Sequence, residues 1–127
     1  MQEQIKIPKL YIDLLDQLFE VDRKTEAIQE PNSVSRNINK MKEIFENIFS
    51  TGAETEVGLT YHNPLGEPYS DTRTDLEASI AGDSAENLFI IEVIKPIIRY
   101  RRGGTNLIAR KGVVVVESKK SPHKSNI

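Results

Sequence analysis

The chain of 127 residues contains no cysteine and no tryptophan, only two histidines, and 6% aromatic residues. Without cysteine there is no disulfide, no thiol nucleophile and no Cys-based zinc site. No apolar run approaches the roughly 18 residues that a membrane-spanning helix requires. The opening Met1-Gln2-Glu3-Gln4 has neither a basic n-region nor an apolar h-region, so cytoplasmic residence is the expectation. A net charge of −2 argues against a general nucleic-acid binder.

The charge is unevenly spread. Residues 1–86 carry 8 Lys/Arg against 17 Asp/Glu, a net of −9, whereas residues 87–127 carry 9 against 2, a net of +7. The hydrophobic period changes as well, near Gly52. Before it, apolar residues recur at helical spacing; after it, they come in short β-rich runs. The sequence therefore predicts an α+β fold: a helical hairpin over 1–56, a small all-β domain of about six short strands over 57–117, and a polar tail over 118–127 that is expected to be mobile.

The first helix is predicted to start at Pro8, a residue favoured at the first helical position, and to end before Pro31. Its seam is Ile7, Tyr11, Leu14, Leu18 and Val21, widened by Leu10, Leu15 and Phe19. The second starts from Asn32 or Ser33, both good N-caps. Its seam is Val34, Ile38, Met41, Phe45 and Ile48, and Gly52 serves as a left-handed stop. The short connection implies an antiparallel pair. Two such faces exceed what one helix can cover on the other. Pairing two hairpins into a dimeric four-helix bundle solves this, with Leu14, Leu18, Ile38, Met41, Phe45 and Ile48 as dimer or hairpin core. The alternative is that the β part of the same chain covers the remaining face.

In the second half, Val57–Tyr61 reads as a strand and Asn63–Pro68 as a loop dense in turn formers. Asp75–Ile80 alternates like an exposed strand. Leu88–Ile91 is continuous, as a fully buried strand would be, and Pro96 marks an edge or a bulge. Gly103-Gly104 is a hairpin turn signal, and Val113–Val116 is the final strand. Together these predict an antiparallel sheet pair or a small barrel.

The search for catalysis is mostly negative. His62 stands beside a Pro/Gly loop with no nucleophile or orienting partner nearby in sequence. Asp71, Asp75 and Glu77 form a carboxylate cluster, but their neighbours are polar, so no pKa splitting is expected. His62 with Asp71 or Asp75 is the only arrangement that a hydrolase could use. No metal-ligand spacing is present. Gly103-Gly104 lacks the phosphate-loop pattern. No cofactor is expected. The basic stretch Lys95, Arg99, Arg101, Arg102, Arg110 and Lys111 stands out. It could grip phosphates, meet an acidic protein surface, or simply protect a sheet edge. Tyr100 is the one aromatic residue available there for base stacking.

Several segments carry a family resemblance. Ile12-Asp13-Leu14-Leu15-Asp16-Gln17-Leu18 and Met41-Lys42-Glu43-Ile44-Phe45-Glu46-Asn47-Ile48-Phe49 look like two bundle helices. Thr51–Val57 follows with a Gly-containing connection, then Asp71-Thr72-Arg73 with Glu77-Ala78, and finally Arg110-Lys111-Gly112-Val113-Val114-Val115-Val116. In this order, over residues 10–117, the chain resembles GrpE, the nucleotide exchange factor of DnaK-type chaperones. It diverges at Thr72, where the family has Pro, and at Asp75, where it has His; the family's long N-terminal helix has no counterpart. The resemblance implies a homodimer joined through its helices and a β-domain that docks on the chaperone's nucleotide-binding domain to promote ADP release, with no catalysis. It places the partner contacts at Arg73, Tyr100, Arg101, Arg102 and Arg110. A nucleic-acid-binding or other protein-interaction module built on residues 95–111 is the alternative.

Overall fold

A computed structural model describes residues 6–28 and 33–119. The expected stop at Pro31, the cap at Asn32 and most of the expected tail lie outside the described residues. Two helices are followed by seven strands: α1 (Lys9–Glu26), α2 (Val34–Glu46), β1 (Val57–His62), β2 (Pro68–Tyr69), β3 (Leu76–Ala81), β4 (Leu88–Lys95), β5 (Ile97–Arg102), β6 (Thr105–Arg110) and β7 (Gly112–Ser118). The order matches the predicted α+β class.

Neither α1 nor α2 contains a glycine or proline, the two strongest interior helix breakers. Pro8 is the N-cap of α1, with ψ at 138°, so the helix starts at Lys9, one residue after the expected start. Arg23 and Lys24 occupy its last turn, where cations suit the helix dipole. Ser33 does cap α2 by position, but its side chain makes no capping hydrogen bond. α2 ends at Glu46 rather than at Gly52. The chain then turns, and the Phe49 amide donates to Val57 O at 2.9 Å. Phe49 is therefore joined to the strand that follows, while the Ile48 amide still donates back to Phe45 O at 3.3 Å. Tyr11 meets Phe49 edge-on at 5.2 Å and Lys42 pairs with Asp22 at 2.9 Å, the registry of an antiparallel hairpin.

The strands form a three-stranded sheet in the order β1-β5-β6 and a four-stranded sheet in the order β2-β4-β7-β3. By internal contacts the chain divides into two interleaved units, Met1–His62 with Ile98–Arg110, and Asn63–Ile97 with Lys111–Ile127. This division differs from a cut at residue 56. The β1 strand and the β5–β6 hairpin belong with the helices, because their apolar sides complete the helical core. That core is Leu15, Leu18, Ile38, Leu59 and Ile98, with Tyr11, Ile12, Phe45 and Tyr100 packed around it. The hairpin thus uses its own chain's sheet as a floor. Leu18 and Ile38 are buried as expected; Phe45 and Ile48 are half-buried. Leu14 and Met41 lie outside this core, 50% and 40% exposed. Leu15 and Phe19, expected only to widen the seam, are both buried, and Leu15 is part of this core.

In the second unit, β4 runs antiparallel to β7, and β3 runs parallel to β7 with Leu76 opposite Gly112 and Ile80 opposite Val116. A parallel pair was not among the expectations. Leu76, Leu88, Ile90, Val93, Val114 and Val116 are buried. The run Leu88–Ile91 is not buried throughout. Register shifts interrupt β4 between Ile90 and Glu92 and again before Lys95, and they leave Ile91 and Ile94 each about half-exposed. Such bulges re-aim side chains within one strand. Pro96, buried, separates β4 from β5. The expected hairpin turn at Gly103-Gly104 joins β5 to β6, with Arg102 opposite Thr105 and Gly103 at φ 61°.

Candidate functional site

The five expected contact residues do not form one cluster. Tyr100, Arg101, Arg102 and Arg110 lie on the β5–β6 hairpin of the helical unit; Arg73 belongs to the other unit. Each arginine is engaged by carboxylates of its own unit. Arg110 forms a two-pronged pair with Asp16 of α1, at 2.8 and 2.7 Å, and both side chains are about four-fifths buried. Matched forks of this kind are the strongest side-chain hydrogen bonds. This one ties α1 to the sheet that floors it. Arg102 grips Glu54 at 2.6 and 3.0 Å on an exposed surface. The guanidinium's hydrogen bonds hold the Glu54 carboxyl below its ordinary range, with a smaller charge contribution from the same arginine. Arg101 reaches Glu56 at 3.7 Å, while its Nε is buried without a hydrogen-bond partner. Tyr100 is half-buried, its ring 6.3 Å from Phe49.

Arg73 is a loop clamp. It donates to both oxygens of Asp75 at 3.0 Å, to Glu67 at 3.0 Å and to Pro68 O at 3.2 Å. The hydrogen bonds to Asp75 raise its already high pKa, burial opposes them, and the bond to Glu67 adds to the rise. Four bonds from one guanidinium close the segment between β2 and β3, which has almost no apolar residues of its own to fold on.

The same clamp bears on the hydrolase reading. Asp75 is engaged by Arg73 on both oxygens. Asp71 is exposed, and His62, exposed at the end of β1, belongs to the other unit. Among the described residues, no group of three or more His, Asp or Glu side chains is placed to hold a metal ion.

Sequence reasoning missed a polar cluster at the helix–sheet junction. The Tyr61 hydroxyl donates to Asp22 Oδ2 at 2.7 Å. Lys42 Nζ binds the same oxygen at 2.9 Å and lies 5.4 Å from the centre of the Tyr61 ring. Phe19 meets that ring edge-on at 5.7 Å. The cluster joins α1, α2 and β1 at one point. The adjoining cavity, about 70 Å³ and lined by Leu15, Phe45 and Leu59 among others, is too small for a metabolite. Burial, followed by the hydrogen bond to Asp22, drives the Tyr61 pKa far above the ordinary value of 10. The folded state therefore keeps its proton where the unfolded chain loses it. The associated stability is intact below pH 10 and is lost as the pH rises beyond that. Urea titrations of wild type and Tyr61→Phe between pH 9 and 11 check this. The wild type should lose stability faster than the variant; parallel curves would refute it. No signal in the sequence marks this cluster, because its members lie 39 residues apart and only the fold brings them together.

No described helix is long and apolar enough to cross a membrane. No protein-family model matches the chain, and neither does any curated protein or solved structure.

Proposed function

We propose that this chain is a GrpE-like, non-catalytic protein-binding factor. It self-associates through its helices and promotes ADP release from a DnaK-type chaperone by docking its β-rich part on the nucleotide-binding domain. One observation carries the reading. After the helices have packed on their own sheet, each still exposes an apolar stripe: Leu10, Leu14 and Val21 on α1, and Val34, Met41 and Ile44 on α2, all 40–67% exposed. Stripes of this kind mark an association surface more often than a solvated face. A second copy of the chain supplies a matching surface by symmetry. The order of helical pair and β-rich region supports the same reading.

The ion pairs divide the candidate contacts. The Arg102–Glu54 pair is exposed to solvent and therefore holds the arginine weakly, so a partner's carboxylate can compete for Arg102 at little cost. Arg101 is held only at 3.7 Å, but its side chain is three-quarters buried, so it is less open to exchange than Arg102. Arg110 and Arg73, in multidentate bonds, act by positioning the β-rich part. An exchange factor of this type needs no reacting group. It binds the open form of its partner's cleft better than the closed form and shifts the population accordingly.

The test is release of a fluorescent ADP analogue from a DnaK-type chaperone of the same organism. Micromolar protein should speed release by about tenfold or more, which requires about tenfold preference for the open form. No acceleration would refute the reading. The alternative, a nucleic-acid-binding module on residues 95–111, is disfavoured by the neutralising Glu54, Glu56 and Asp16. It predicts binding that weakens steeply with salt.

A further inference from the structure

The four-stranded sheet of the second unit carries a groove that the proposed function does not use. It has a volume of about 520 Å³, and its apolar walls include Tyr69, Ala78, Ile80, Leu88 and Phe89. Ala78 and Ile80 come from β3, the outermost strand on one side of the sheet. β3 pairs only with β7, so its other edge has no strand partner among the described residues. Along β3, alternate residues face the groove, and Glu77 and Ser79 between them are exposed. An edge strand with open backbone groups beside an apolar groove is the arrangement by which extended peptides add to sheets. The backbone supplies affinity, and alternate side chains enter the groove.

Charge identifies the occupant. Asp71 is in the groove wall. The turn that supplies Ala85 and Asn87 to the same wall also carries Asp83 and Glu86. None of these three carboxylates makes an ion pair among the described residues. Two described cations stand at this rim: Arg73 donates to Pro68 O at 3.2 Å but is engaged by Glu67 and Asp75, and Lys119 places its ammonium over the Phe89 ring at 4.8 Å while its amide donates to Asn87 O at 2.9 Å. An apolar floor with an acidic rim complements an extended segment whose apolar side chains are flanked by lysine or arginine.

We propose that this groove binds such a peptide by strand addition to β3. All the lining residues belong to the second unit, and the proposal does not rest on the exchange reading. The probe is a fluorescein-labelled peptide of alternating leucine and valine with a lysine pair at each end. Its anisotropy is followed against the full chain at low and moderate salt. Binding should saturate and weaken with salt. It should fall about tenfold in Ile80→Lys, which puts a like charge at the groove, and severalfold in Asp71→Asn. Both residues are exposed, and unchanged circular dichroism in each variant confirms the fold. A peptide N-methylated at alternate residues should fail to bind, because it cannot pair with the edge.

Four results would overturn the proposal. The first is equal binding of a peptide with glutamate in place of lysine, and the second is full binding of the N-methylated peptide. The third is efficient disulfide formation between copies of Ser79→Cys at low concentration, which would make a second copy the occupant. The fourth is a gain of more than tenfold on truncation after Lys119, which would assign the groove to residues 120–127 of this chain.

Discussion

Gly58→Ala should strongly destabilise the helical unit. An alanine Cβ at position 58 would fall on the backbone of Phe45 and Glu46 at the end of α2. The collision is with main chain, so no rotamer change relieves it. Either α2 must withdraw from β1, or the hydrogen bond from Phe49 to Val57 O must stretch. Both open the core around Leu59, which is fully buried. Overpacking against side chains costs about 1–3 kcal/mol, and backbone collisions fall at or above the top of that range. A loss of roughly 3–5 kcal/mol is expected against a total of about 5–15 kcal/mol for a domain. In a chain of this size that lowers Tm by about 10 °C or more. Thermal unfolding followed by circular dichroism measures it. Gly52→Ala is the control, because no atom lies within 4 Å of its Cβ position. It should change stability by less than about 0.5 kcal/mol. Equal effects of the two substitutions would show that the contact between α2 and β1 is not tight.

The second large effect is on self-association. If two copies pair through their helices as proposed, Leu14→Lys combined with Met41→Lys should turn that dimer into a monomer without unfolding it. Both side chains stand outside the core of their own chain, at 50% and 40% exposure, so the substitutions place charge in water when the chain is alone. In a symmetric pair each substitution counts twice. Four apolar side chains would be lost from the interface and four ammonium groups placed there. The apolar loss alone amounts to about 3 kcal/mol or more, a rise of at least about a hundredfold in the dissociation constant. Sedimentation equilibrium across a micromolar concentration range checks this, and circular dichroism checks that helix content is kept. A wild-type chain that stays monomeric at about 100 μM would remove the dimer from the proposal. Under the proposed function the double variant should also lose most of its acceleration of ADP release.

Much of the local structure was legible from residue order. The four-three spacing located both helices. Gly103-Gly104 located the β5–β6 turn, and the valine run located β7. These depend on backbone preference and periodicity, which act over a few residues. The candidate contact site was less legible. The arginines of 99–111 were visible as a charged stretch, but their partners were not. Asp16 and Arg110 are 94 residues apart, and Arg102 and Glu54 are 48 apart. A charge run in a sequence shows supply of one sign, and whether it is neutralised depends on what the fold brings against it.

Residue order by itself determined which side chains share a helix face, where the chain must turn, and that cysteine chemistry is absent. Tertiary structure decided the rest. It chose Leu15 and Leu18 over Leu14 and Val21 as the inner face, because Leu59 and Ile98 arrive on that side. It placed β5 and β6 with the helices while β4 and β7 went to a second sheet, and it set β3 parallel to β7. Periodicity fixes the relation between neighbours along one element. What covers that element is set by contacts between distant segments, where burial of apolar surface outweighs local preference.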